Sequence, residues 1–203
     1  MKPRRNRQTS FQFRTWGGRR PGAGRKPHGP RAGVPHTPRP PLARRFPVHV
    51  TVRMGDHVWN LRSRRSFRVL ARCFWAGADR FGFRLVHYSV QGNHLHLLAE
   101  AEDARALGRG MKGLGVRVAR GLNRLMSRRG RVLADRYHAR ILRTPTEVRR
   151  AATYVRENTQ HHAARRGEGL PTPPPPDPYA SVRPVVWPRT WLLARAGPTS
   201  HLK

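Results

Sequence analysis

Two histidines one residue apart, His94 and His96, lie in the stretch VHYSVQGNHLHLLAE at residues 86–100. Its flanks are apolar and β-prone, so residues 83–90 and 93–100 are predicted to form a strand pair turning at Gln91-Gly92. Side chains alternate along a strand, which puts both imidazoles on one face, about 6–7 Å apart at Cα. Two imidazoles at that spacing can converge on one cation, while Leu95 and Leu97 point into whatever packs behind the sheet. The same pattern also fits two half-buried polar residues of an ordinary strand, and the pair alone does not decide between them.

A second pair with chemical potential lies far along the chain, in YVREN. Tyr154 and Asn158 are four residues apart, so a helix places them on one face about one turn apart. The amide oxygen of Asn158 can serve as a hard third ligand beside two imidazoles, and the phenol of Tyr154 can reach a group the ion polarises. A packing tyrosine and a polar helix-end asparagine would look the same in sequence. Tyr137 in DRYHAR is a competing nucleophile, though a strand position gives it no asparagine partner. His161 and His162 diverge by about 100° on a helix and suit one ion badly. His87 is expected to face away from the pair, being of opposite parity to His94.

The elements that must hold these residues begin at Phe46. There PVHVTVRM alternates as a strand, and a helical stretch is expected from Asp56 through WNLRSRRSFRVLARCFWAG. After the histidine hairpin, a helix at 103–126 carries Leu107, Met111, Leu114, Val118, Leu122 and Leu125 at steps of three and four. Its other side carries Arg105, Arg109, Lys112, Arg117, Arg120 and Arg124, a surface for a phosphate backbone or simply a solvated face. Five glycines inside this helix weaken its intrinsic propensity. VLADRYHARILRT reads as one or two short strands. Thr144-Pro145-Thr146-Glu147 then starts a capped helix running to about His162. The order β, α, β, β, α, β, α predicts an α+β fold, an antiparallel sheet with helices packed mainly on one face, as in ferredoxin-like designs.

The domain so defined spans residues 46–166. Residues 1–45, rich in Arg, Pro and Gly, are expected to be a disordered basic arm, in which GGRRPGAGRKP offers Arg19, Arg20, Arg25 and Lys26 to a phosphate backbone or minor groove. Residues 167–203, with four consecutive prolines at 173–176, are expected to be a Pro-rich tail, from which Trp187 and Trp191 can dock back. The chain of 203 residues has 42 Lys and Arg against 10 Asp and Glu, a formal net charge of +32. Such a balance points to a polyanion partner, nucleic acid above all. One cysteine excludes a disulfide framework and a cysteine-built zinc site. With no signal-type or spanning apolar run, a cytoplasmic, nucleoid-associated protein without membrane contact is expected.

Taken together, NHLHLL, the long helix, GRVLADRYHARIL, the capped helix with EVRRAATYVREN and the basic surround resemble the single-tyrosine transposases of the HUH class, especially the REP-associated tyrosine transposases. The resemblance covers about residues 46–166; one departure is Gln91-Gly92, where many members carry Met-Pro. It implies an HUH-endonuclease fold in which His94, His96 and Asn158 hold a divalent metal and Tyr154 is the nucleophile. It further implies a single-stranded DNA substrate next to a hairpin and a 5′-phosphotyrosine intermediate, and it leaves a homodimer open. Mg²⁺ or Mn²⁺ suits a mixed imidazole and amide site that must also accept phosphate oxygens. An unassisted phenol titrates near pH 10 and needs such help. A non-catalytic nucleic-acid-binding protein is the main alternative; a relaxase-type nicking enzyme would share the chemistry but is disfavoured by the lack of a helicase-like region or second paired tyrosine.

Overall fold

The computed structural model describes residues 39–165 and 175–196, the side chains of 159–165 and of 196 excepted. The alternating PVHVTVRM segment forms β1 (Val48–Arg53), with its valines buried. The next helix, α1 (Arg64–Gly77), starts later than its apolar pattern suggests. Ser63 is its N-cap, its hydroxyl accepting from Ser66 N, and residues 56–63 form turns anchored by Leu61 N donating to Gly92 O. Then come the short β2 (Asp79–Arg80), β3 (Phe83–Val90) and β4 (His94–Ala101). The hairpin expected around Gln91-Gly92 is present. The helix α2 (Ala104–Leu125) is capped by Asp103, whose carboxylate accepts from Ala106 N.

Beyond α2 the chain runs irregularly to β5 (His138–Ile141) and then to α3 (Pro145–Arg165). Its capping box is formed: Glu147 N donates to Thr144 Oγ1 at 3.2 Å and Thr144 N donates to Glu147 Oε2 at 3.2 Å. The strands form one sheet in the order β2-β3-β4-β1-β5, with every pairing antiparallel. The α+β expectation therefore holds. The larger core lies on the face where Leu95, Leu97 and Ala99 meet α1 and α2. On the other face Val86 and Leu98 pack against Val148, Ala151 and Ala152 of α3. This smaller face carries the histidines.

Residues 175–196 do not behave as the structureless tail that their composition suggests. They run along the edge of β3 beyond β2, where Val90 N donates to Tyr179 O, Ser181 N to Tyr88 O and Val185 N to Val86 O. Asp177 receives both arms of Arg62 at 2.9 Å. The buried Glu100 carboxylate accepts from Arg189 N, Thr190 N and the Thr190 hydroxyl. Glu100 thereby fixes the start of a final short helix, α4 (Trp191–Ala196), whose Leu193 joins the α3 cluster. An edge that would otherwise expose unpaired backbone is closed by the chain itself. Among the described residues, no helix is long and apolar enough to cross a membrane.

Candidate active site

The site begins with parity. In the β1–β4 register Arg53 lies opposite His94, Thr51 opposite His96 and His49 opposite Leu98, so all five polar side chains share the face covered by α3. His94 Nδ1 lies 2.8 Å from Asn93 Oδ1, and His96 Nδ1 lies 3.3 Å from both Thr51 Oγ1 and His49 Nε2. The two Nε2 atoms stand 3.1 Å apart. In the tautomer in which each ring donates from Nδ1 to its oxygen neighbour, the two Nε2 lone pairs face one another at a spacing suited to a shared cation.

Tyr154, half-buried on α3, meets His96 and His49 edge-on. Its ring centre is 5.0 Å from that of His96 and 5.9 Å from that of His49. Asn158 follows one turn later on the same helix and is 1 % exposed. Neither its Oδ1 nor its Nδ2 finds a hydrogen-bond partner among the described residues. A buried amide in that condition is expensive unless something else satisfies it. Burial, with His138 and Arg140 nearby, lowers the pKa of His49 and favours its neutral form, which can accept from His96 Nδ1.

These residues fit a hard divalent ion. Two donors bound at right angles at about 2.1 Å stand about 3.0 Å apart, close to the spacing of the two Nε2 atoms. The sequence expectation of Asn158 as a third donor meets a buried amide that has no hydrogen-bond partner among the described residues. Among the described residues no group of three His, Cys, Asp or Glu side chains is placed to hold a metal ion.

The competing residues fall elsewhere. Tyr137 has the parity of Ala139, which pairs with Val50, and lines an apolar groove of about 420 Å³ with Met111 and Leu133 on the α2 side of the sheet. The Arg39 guanidinium sits 3.7 Å above its ring, and burial raises its pKa. His87 does not face away: Val86 bulges, His87 pairs with Leu98, and its ring lies under α3 beside Ser181. A simple parity count misses it because the turn register, not residue number, sets the face. The side chains of His161 and His162 are outside the described residues, as are Arg19, Arg20, Arg25 and Lys26.

The six basic residues Arg105, Arg109, Lys112, Arg117, Arg120 and Arg124 line the outer side of α2, across the sheet from Tyr154. Sequence reasoning did not single out His49, Thr51 or Arg53 for the site. The alternation of PVHVTVRM gave their common parity, but nothing local said that this strand would lie beside the histidine strand.

No family model and no curated protein matches the chain. By shape it superimposes on a REP-associated tyrosine transposase bound to a REP hairpin, with a TM-score of 0.52 and 12 % identity, over 64 % of this chain and 74 % of that one. The two share a fold. A Deinococcus radiodurans R1 protein assigned as a transposase also matches, at TM-score 0.41 and 16 % identity, over 68 % of this chain and 100 % of that one. At 12 % identity the first likeness carries the fold alone, and the chemistry has to be argued from the residues.

Proposed function

We propose that the chain is a metal-dependent single-stranded DNA endonuclease and transposase that cuts and rejoins DNA through Tyr154. The observation that carries this reading is the contact of the Tyr154 ring with His96, whose Nε2 meets that of His94, with the buried, unsatisfied Asn158 one turn along the helix from Tyr154. His94, His96 and Asn158 would hold Mg²⁺ or Mn²⁺. When bound, that ion draws charge from a non-bridging phosphate oxygen and fixes the scissile bond.

The protein's part is positioning. Asn93 and Thr51 orient the two imidazoles, and α3 presents the phenol to the same place. Arg53, exposed beside His94, is suited to the scissile phosphate. In the reaction the Tyr154 oxygen forms a bond to phosphorus as the bond from phosphorus to the 3′ oxygen breaks. The phenol gives up its proton and the departing 3′ oxygen takes one, leaving a 5′-phosphotyrosine and a free 3′ hydroxyl. Rejoining is the reverse reaction with a new 3′ end. The family resemblance supports a hairpin next to the cut, and the basic α2 surface is suited to hold it.

The test incubates the protein with labelled single-stranded hairpins from the flanks of its own gene, with Mn²⁺ or with EDTA. The expected product is an SDS-resistant adduct that needs metal and is absent in Tyr154→Phe. Salt-sensitive binding without adduct on any hairpin, unchanged by Tyr154→Phe or by His94→Ala with His96→Ala, would instead identify a non-catalytic nucleic-acid-binding protein.

A further inference from the structure

The turn between β2 and β3 breaks two local rules at one residue. Phe81 and Gly82 have φ values of +55° and +75°, so the two-residue loop has positive φ at both central positions, as a type I′ turn requires. Gly82 is a residue that such a turn favours, and a Cβ there would also come within 2.6 Å of Glu102 Oε2. Phe81 is not. Asn, Asp or Gly are favoured at its position, and a bulky side chain in the left-handed region is strained. Burial does not offset that strain, because Phe81 is 71 % exposed. Both backbone preference and the hydrophobic effect therefore oppose this residue in the free protein, and a ligand that covers the ring would reconcile it with the fold.

The surroundings indicate which ligand. Phe81 forms one wall of a shallow concavity of about 640 Å³ whose other walls are Arg109, Lys112, Val116, Arg117 and Arg120 of α2. No acidic residue occurs anywhere in α2. From Arg109 to Arg120 the helix extends about 16 Å, room for a few nucleotides. Asp79, paired with Arg84, and Glu102, packed against Gly82, line a different concavity. An exposed aromatic ring bordered by cations, in a concavity whose lining holds no carboxylate, matches base stacking with phosphate neutralisation.

We propose that this concavity is a binding site for single-stranded DNA on the α2 side of the sheet, separate from the Tyr154 site. One base stacks on Phe81, against the apolar floor given by Val116, while Arg109, Lys112 and Arg120 hold the flanking phosphates. A duplex, whose bases are already stacked on one another, would use the cations but not the ring. The site does not depend on the phosphotyrosine reading, because it requires binding and no chemistry.

The full chain carrying Tyr154→Phe separates the two. A single strand of about twelve nucleotides containing 5-iodouracil, and the matching duplex, are titrated against this protein and against the same protein with Phe81→Asn or Phe81→Trp. Asn suits the turn, so Phe81→Asn is expected to fold at least as well, yet to bind the single strand about tenfold more weakly, with little change for the duplex. Phe81→Trp is expected to retain the affinity, and photocrosslinking is expected to mark the peptide containing residue 81. Unchanged single-strand affinity in Phe81→Asn, an equal loss on duplex, or crosslinks confined to other peptides would overturn the proposal whatever the adduct assay shows.

Discussion

The Nδ1 atom of His96 faces both the Thr51 hydroxyl and His49 Nε2 at 3.3 Å, and this contact fixes which way its Nε2 points. Outer contacts of this kind set ligand tautomer and orientation, and losing one costs about 10- to 100-fold in metal affinity. Thr51→Val keeps the shape and removes the hydroxyl. It is expected to raise the Mn²⁺ concentration for half-maximal adduct formation about tenfold while leaving thermal stability nearly unchanged. A second residue-scale consequence concerns His87. Burial and then the Arg156 charge hold it at about 4, against an ordinary value of 6.5. The unfolded chain therefore binds the extra proton between those values. The stability this contributes is complete above about pH 6.5 and is lost as pH falls toward about 4, on the order of 3 kcal/mol across the window. Urea midpoints at pH 7 and pH 4.5 should show a clearly smaller acid loss in His87→Gln than in the parent protein; parallel losses would refute this role for His87. That His94 and His96 share a strand face, and Tyr154 and Asn158 a helix face, was legible in the sequence because each pair is local. The contacts of Thr51 and His49 with His96 were not, since they exist only once strands some 45 residues apart lie side by side.

At the scale of elements, α2 shows how a helix tolerates five glycines. Its N-terminus and apolar stripe were readable, because Asp103 caps it and leucines recur at helical steps. Its glycines were legible only as a weakness, and the structure separates them by what lies opposite. A Cβ on Gly110 would fall 2.1 Å from Cγ of the buried Phe83, and one on Gly121 would fall 2.6 Å from Val69, so these positions let α2 approach β3 and α1 closely. Gly108 has nothing within 4 Å. Chemical denaturation should therefore find Gly108→Ala more stable by about 0.5–1 kcal/mol. Gly110→Ala should lose about 3 kcal/mol, because neither backbone nor the enclosed Phe83 ring can yield easily. Equal effects at the two sites would show that propensity alone governs the helix. The segment 175–196 was opaque for a different reason. It is ordered by Asp177 with Arg62, by Glu100 with Thr190 and by edge hydrogen bonds to β3, none of which leaves a periodic apolar trace in the chain.

At the scale of the described domain the sheet separates two groups of side chains that composition had merged into one excess of positive charge. The phenol and the paired imidazoles lie under α3 on one side, and the outer row of α2 cations lies on the other. A substrate that engages both must pass around an edge of the sheet. Binding and chemistry should then respond to different substitutions. Arg105, Arg120 and Arg124 are exposed, and replacing all three with alanine removes up to three phosphate contacts without entering the Tyr154 site. Each neutralised phosphate adds about 0.7–0.9 to the slope of log affinity against log salt, so the triple variant should lose about 2 from that slope and bind hairpin DNA far more weakly at low salt. At saturating DNA its single-turnover rate of adduct formation should stay within about twofold of the parent, because no group acting on the reacting atoms has changed. A large fall in that saturated rate would mean that the α2 surface acts on the reacting strand itself, and the two faces would then have to be treated as one site.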